Sequence, residues 1–503
     1  MPLTAAELSI SQMDKLNMLK KTCVRLILLV CTSLANNCLA FSQENTTVGS
    51  ILTLEESVNI ALKNNLEVRQ RELQSESASI LLKQSKRDLL PSISGNIGHG
   101  LNQGRSIDPF TNAYIDQNVN FASYSLNGGI TLFNGLLLQN SVKQNKLAFE
   151  AAKMERQQAR EALTLNVMLT YLQILSNEDL LNQSVLQAGL SNEQVKRLQI
   201  LDKEGAIAPA LLFDLQGQLA NDELAIINNR NALNASRLLL FQFMNVEFDP
   251  QLKIARLTAE QSFSPTKYGF TLAEITKIAL NQLAIIKGVA LRKESANKGV
   301  QVSKALKYPN LSLNSNLFSN YSSLAFRNEM GGLQQVTTDN YVNINGTQYP
   351  VVTPERSFSS QKIAYNAQIK NNYSSSFGVN LRLPIFNTVY AKTRIAQAKV
   401  ELQNAEIIEE TTRLQLKQTV DQAYFNMEAA MSRNDAVNRQ FEAYKKAFDA
   451  AEVRFNAGAG TAVDYSIAKN NLDRASINLI NVRYDYVFRT RILDYYRGEL
   501  RLN

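Results

Sequence analysis

The chain has 503 residues, 45% of them apolar and 19% charged, with a formal charge of +8. That length leaves room for two or three ordinary domains. The basic excess is spread along the chain in no block, which argues for a solvated surface and against a nucleic-acid-binding arm. After residue 40 no run of 18 or more apolar residues occurs. Membrane-spanning helices are therefore excluded, but a β-barrel is not, because its strands carry only an alternating pattern.

At the start of the chain, Lys20, Lys21 and Arg25 precede an apolar run at 26–30, and small residues follow up to Ala40. This pattern predicts a secretory signal over residues 1–40, begun at Met18 and cut near Ala40/Phe41. The apolar run is too short for a membrane anchor. Cys23, Cys31 and Cys38 are the only cysteines, and all three lie in the signal. The mature chain is thus expected to hold no disulfide and no thiolate metal site. Cys31 follows Val30 and Cys38 follows Asn37, a poor context for lipid attachment, so no lipid anchor is expected.

Beyond the signal the chain is written twice. Leu52-Thr53-Leu54-Glu55-Glu56 returns as Phe270-Thr271-Leu272-Ala273-Glu274, and Leu90-Pro91-Ser92-Ile93-Ser94 as Tyr308-Pro309-Asn310-Leu311-Ser312, both at an offset of 218 residues. Leu132-Phe133-Asn134 then matches Ile385-Phe386-Asn387, and Gly205 matches Gly458, at an offset of 253. The change of offset places a 35-residue insertion in the second copy. The copies are expected at 41–241 and 270–497. The linker 242–269, with Pro250 and Pro265, is expected to form a small collar, and 498–503 a tail.

Each copy reads as helix, strand, strand, long helix, turn, helix. Thr53 with Glu56, and Thr271 with Glu274, are capping boxes that start the first helices. These helices are expected to run unbroken for about 37 residues to Pro91 and Pro309. The third elements, near 136–200 and 389–454, hold no interior proline, and at 1.5 Å per residue such a helix is roughly 100 Å long. In the second, Ala423, Met427, Ala430, Val437, Phe441, Tyr444, Phe448, Ala451 and Phe455 follow the 3–4 spacing of a packed helix seam, with Asn434 the one polar position. The last helices, near 210–241 and 461–495, have about half that length. Two half-length helices end to end match one long one, as in a helical tube.

Four alternating stretches are expected as strands, about 92–102, 121–133, 310–321 and 374–385. Ile93, Ile97 and Leu101 oppose Ser92, Ser94 and Asn96; Phe377, Val379, Leu381 and Leu383 oppose Gly378, Asn380 and Arg382. The polar face is small and rich in Ser and Asn, which suits a water-filled lumen. Four strands do not close a transmembrane barrel and open edges are not tolerated in lipid, so several copies must share one barrel. This reasoning does not choose between two, three or four copies. Residues 103–120 and 322–373 are rich in Asn, Gly, Ser and Thr and are expected as extracellular loops.

These residues resemble the TolC-type outer-membrane efflux family. Leu383-Pro384-Ile385-Phe386-Asn387 matches its strand ending in Pro-hydrophobic-Phe, with Phe133 at the first-copy equivalent of Phe386. Arg454, Gly458 and Asp464 match its turn of the form Arg-x-x-x-Gly-x5-Asp. The resemblance covers roughly 50–497. It implies a mainly helical fold with a transmembrane β portion: a homotrimer with four strands per protomer in one shared barrel on a coiled-coil periplasmic tube. It further implies a Gram-negative outer membrane, a periplasmic adaptor and an inner-membrane RND or ABC pump as partners. The expected role is that of a passive exit duct, with small-molecule efflux favoured over type I protein secretion. The resemblance also places an aspartate gate at the tube's tip. Asp464 matches the first gate position, whereas the second is Ile467 here, and the first copy has Leu211 and Asp214. Thr461 with Asp464 equally reads as a helix cap, and both readings stay open. Gly205 and Gly458 are expected in the tip turns.

No catalytic, cofactor or metal site is expected. The one histidine, His99, lies in a strand with no partner of triad type. A trimeric surface adhesin or stalk is the rival reading, but it predicts strands at one end of the chain and not in the middle of both copies.

Overall fold

The computed structural model of the chain describes residues 51–107, 112–116, 118–256, 268–385 and 388–500. The expected signal, Phe386, the middle of the inter-copy linker and the end of the tail lie outside these. The chain divides into two units, Met1–Leu52 and Thr53–Asn503. Of the first only Ile51–Leu52 are described, as a two-residue strand, and the elements below belong to the second.

The first copy comprises α1 (Leu54–Asn64), α2 (Leu66–Arg87), β1 (Ser92–Asn102), the short strands β2 (Arg105–Ile107) and β3 (Tyr114–Asp116), β4 (Val119–Phe133), α3 (Leu137–Lys203) and α4 (Pro209–Met244). The second comprises α5 (Leu272–Gln282), α6 (Ala284–Ala305), β5 (Asn310–Ser322), β6 (Phe326–Ile344), β7 (Thr347–Lys362), α7 (Tyr365–Asn371), β8 (Ser374–Arg382), α8 (Thr388–Asn456) and α9 (Ala462–Tyr496). The duplication holds to the residue. Adding 218 to the bounds of α1 and α2 gives those of α5 and α6, and adding 253 to the end of α3 gives the end of α8.

Both capping boxes form. Thr53 Oγ1 accepts from the Glu56 N–H while Glu56 accepts from the Thr53 N–H at 2.9 Å, and Thr271 and Glu274 repeat the exchange. These bonds hold the carboxyls of Glu56 and Glu274 below the usual carboxylate range. The first helix of each copy, expected unbroken, is divided in two. Asn65 takes an extended conformation and caps α2 by accepting from the N–H groups of Glu67 and Val68, while its own amide donates to Phe243 O at 3.1 Å. Leu283 makes the same break without a cap. Tertiary contact at one site and burial at the other override helix continuity.

The 67 residues of α3 and 69 of α8 span roughly 100 Å each at helical rise. The seam expected on α8 is buried where Val420, Ala423, Met427 and Ala430 meet Ile275 and Ala279 of α5, Leu283 at the break, Ile286 of α6, and Tyr486 and Leu493 of α9. Further along, Phe448 and Phe455 close on Tyr465 of α9, with ring centroids 5.6 and 5.0 Å apart. Across the copies, α3 packs on α6. A Cβ built at Gly288 would lie 3.5 Å from Met154 Cβ, Ser295 donates to Gln144 O at 3.0 Å, and Arg292 grips Glu155 with two bonds of 2.8 and 2.9 Å.

The long connection 322–373, expected as a loop, is mostly a β-hairpin. β6 and β7 pair from Phe326–Lys362 to Ile344–Thr347 around Asn345-Gly346, whose φ values of 50° and 84° form a two-residue turn that matches strand twist. Its root is clamped by the buried Gln368 of α7, which donates to Ser322 O and Ile363 O and accepts from the Ser322 N–H.

Candidate functional site

β8, β5, β4 and β1 lie side by side in that order, antiparallel throughout, so β8 and β1 are the edges of the sheet. The registers Ile97–Tyr124, Leu126–Leu317, Ile130–Leu313 and Leu313–Val379 bring the apolar residues of all four strands to one face. Ser94–Asn127, Asn96–Ser125, Asn127–Asn316 and Ser312–Asn380 build the other. Phe121 and Phe318 interrupt that polar face; Phe121 lies over Gly100, where a Cβ would meet its ring at 2.6 Å. Away from the end that α7 covers, the apolar face is bare. Ile93 is 73% exposed, Ile97 80%, Phe377 75% and Val379 65%. An apolar belt this wide, backed by a hydrated face and met by a helix only where α7 rests on Tyr124, Ser319 and Tyr321, fits lipid and not water. His99 is exposed on the apolar side, opposite Ala122.

At the strand-to-helix junction, Phe133 pairs with Leu311 just after a bulge, and Pro384 lines a cavity of about 550 Å³ with Asn134, Tyr308 and Arg382. Gly135 is required here. Its φ is +68°, and a Cβ would sit 2.6 Å from Tyr308 Cβ.

At the far end of the helices, α3 turns into α4 at Gly205 and α8 into α9 at Gly458, with φ values of +69° and +71°. Each turn is a Schellman cap: Ala206 N–H donates to Leu201 O at 2.8 Å, and Ala459 N–H to Arg454 O at 2.9 Å. The Arg454 carbonyl also accepts from Gly460, and its exposed side chain donates within its own helix, to Ala450 O. The copies then diverge. Pro209 opens α4 with no side-chain cap, whereas Thr461 caps α9, accepting from the Asp464 N–H at 3.1 Å and donating to its carboxylate at 2.7 Å. The two turns are neighbours, since Arg197 of α3 bonds Asn456 and lies over the Phe455 ring. Exposed Asp214 and Ile467 line one groove of about 170 Å³ between them.

The description of the family named Outer membrane efflux protein matches residues 58–246 and 277–494. The chain belongs to that family. It is 22% identical over 440 residues to the outer membrane protein TolC of Salmonella enteritidis, covering 87% of this chain and 80% of that one. Its fold matches the outer membrane channel CmeC of Campylobacter jejuni with a TM-score of 0.67 at 17% identity, over 89% of this chain and 86% of that one. The outer membrane protein VceC of Vibrio cholerae matches at 0.68 and 13% identity, over 89% and 97%.

In this outer membrane efflux protein the expected tip residues Arg454, Gly458, Asp464, Gly205 and Asp214 thus gather at two adjoining turns, while Phe133 and Pro384 lie at the other end of the long helices. The sequence reading missed a buried ionic cluster inside the helical region. Lys469 of α9, 2% exposed, bonds Asp473 at 2.6 Å and Asp222 of α4 at 3.3 Å. Ser191 of α3 donates to Asp222, Gln218 does so at 2.8 Å, and Gln187 reaches the Asp473 carbonyl. Burial pushes the Asp473 carboxyl above the usual range, opposed by its bond from Lys469. Lys469 and Asp222 lie 247 residues apart, and each reads alone as a solvated helix charge.

Proposed function

We propose that this outer membrane efflux protein is the passive exit duct of an envelope-spanning export machine, formed by three copies that pool their four-stranded sheets in one barrel. The single observation that carries the reading is the sheet itself: one face apolar and, away from α7, bare, one face small and polar, and both edges unpaired among the described residues. In lipid such edges cost several kcal/mol per unsatisfied backbone group, and other copies of the same strands satisfy them. The long helices continue the lumen through the periplasm. An adaptor docks at the Gly205 and Gly458 turns, and an RND or ABC pump supplies substrate and energy. Multidrug or small-molecule cargo is favoured over protein cargo. Asp464 both caps α9 and contributes one carboxylate per copy to a cation-preferring constriction, which Asp214 flanks. The chain does no chemistry of its own.

The test is conductance in planar bilayers. Oligomeric protein purified in detergent is expected to form cation-preferring channels, and the monomeric fraction none. A well-folded oligomer that inserts but never conducts would return the protein to the rival class of stalks and adhesins.

A further inference from the structure

The basic excess of this chain, scattered along the sequence, gathers in space where the sheet meets the helices. Within about 20 Å of the sheet at helical rise, residues 77–88, 137–149, 295–308 and 382–400 hold three, two, three and four lysines or arginines, with Asp88 as the only acid. That belt exceeds the +8 of the whole chain, so the rest of the molecule is acidic on balance. Among the described residues none of these cations forms an ion pair, although Arg292 with Glu155 and Lys293 with Glu409 do so just beyond the belt.

One cation of the belt lies on the sheet itself. Arg382, at the helix end of β8, is the one Asp, Glu, Lys or Arg in β1, β4, β5 and β8. It alternates with Asn380 and stands opposite Asn310, which puts it on the small polar face. It is exposed, and among the described residues nothing bonds its guanidinium. The cavity of about 550 Å³ that it lines with Asn134, Asn310, Tyr308 and Tyr390 offers amides and phenols and no carboxylate. Arg394 backs the site, its guanidinium 5.5 Å from the centre of the Tyr390 ring. The equivalent first-copy position is Gly129, so a strand end here needs no arginine.

We infer that Arg382, repeated once per copy round the shared barrel, forms an oxyanion-binding ring on the lumen face where the barrel opens into the tube, and that it takes carboxylate or phosphate groups of the cargo. This rests on the duct proposed above and names the chemical class its lumen favours. A guanidinium presents paired N–H donors that match two oxygens of such a group. The asparagine amides and tyrosine hydroxyls donate beside it, and charges of one sign round a low-dielectric cavity focus their field into it. The ring and the Asp464 tip lie at opposite ends of the long helices and sort different things. At ordinary ionic strength an exposed charge is screened within about 10 Å. In the wide barrel Arg382 therefore acts on a group that touches it, whereas the narrow tip selects among small ions.

Binding of inorganic tripolyphosphate tests this, measured by calorimetry on the detergent-purified oligomer and again in nanodiscs, one set zwitterionic and one rich in phosphatidylglycerol. Arg382→Gln is expected to weaken binding at least about tenfold, through loss of a charge-assisted contact, and Arg382→Lys to weaken it less. Lys83→Gln, in the same belt, should leave it within about twofold, since a screened charge at a distance adds little. Lipid composition should leave it unchanged. Equal binding by wild type and Arg382→Gln, or binding by neither, would overturn the ring. Binding displaced by phosphatidylglycerol would assign the site to lipid headgroups and overturn its place in the lumen. Planar-bilayer conductance of the same preparation keeps the two levels apart: a conducting oligomer that fails these tests loses only the ring, and a non-conducting one removes the duct beneath it.

Discussion

The two copies of this chain are alike in their helices and unlike in two other places. α1, α2, α5 and α6 repeat to the residue, as do the ends of α3 and α8, although the copies share few side chains. Between the paired strands, however, the first copy has a short connection and the second a hairpin of two long strands. Inside the helical region, Asp222 corresponds to Ala475, Lys469 to Gln216 and Asp473 to Ala220, so the ionic cluster is built from unlike halves. The contrast separates two kinds of constraint. Helix length is held by end-to-end packing against neighbours, where one added residue would rotate a whole face by about 100°. A connection in water tolerates insertion, because loop-closure entropy grows only slowly with length.

The contrast breaks most visibly at the buried cluster. Lys469→Met leaves Asp222 and Asp473 buried with no cation, and is expected to lower stability by about 3–5 kcal/mol. Gln216→Met at the equivalent first-copy position should stay within about 0.5 kcal/mol. Denaturant unfolding of the detergent-solubilised protein followed by circular dichroism checks both, and equal effects would mean the cluster contributes no stability of its own.

A smaller effect is expected at the turns. Thr461→Ala removes the cap of α9 and should cost about 1 kcal/mol, whereas Ala208, its first-copy counterpart, makes no side-chain cap to lose. Limited proteolysis should accordingly open 457–461 before 204–208 in the variant. Asp464→Asn keeps the acceptor for Thr461 but removes the charge, so it sharpens the two roles of Asp464: reversal potentials should show weaker cation preference with little change in protease resistance.

The smallest expected effect is in pH. Burial raises the folded-state pKa of Asp473 above its unfolded value, so the native state binds the extra proton between the two. The resulting contribution is present below the ordinary carboxylate range and lost as pH rises through the raised value. Asp473→Asn should flatten the stability–pH curve in that window; a variant curve parallel to wild type would show that the cluster carries no such linkage.

Much of the architecture was legible beforehand because it is periodic. The alternation of Ile93, Ile97 and Leu101 with Ser94 and Asn96 is a statement about two faces, and the register confirmed which residues share them. Thr53 with Glu56 announced a helix start for a local reason, a side chain satisfying backbone donors three residues away. The hairpin at 326–362 was read as a loop although Asn345-Gly346 marked its turn, since Asn, Gly, Ser and Thr weigh equally toward both. The break at Asn65 was hidden because its amide is held by Phe243 O, 178 residues on.

The sequence alone therefore determined the duplication, the two-faced strands and the extent of the long helices, all of which follow from spacing. Only the tertiary structure decided which charges become a buried cluster and where the first helices break. Those depend on residues hundreds of positions apart meeting at a distance of a few ångströms, and no local pattern encodes such a meeting.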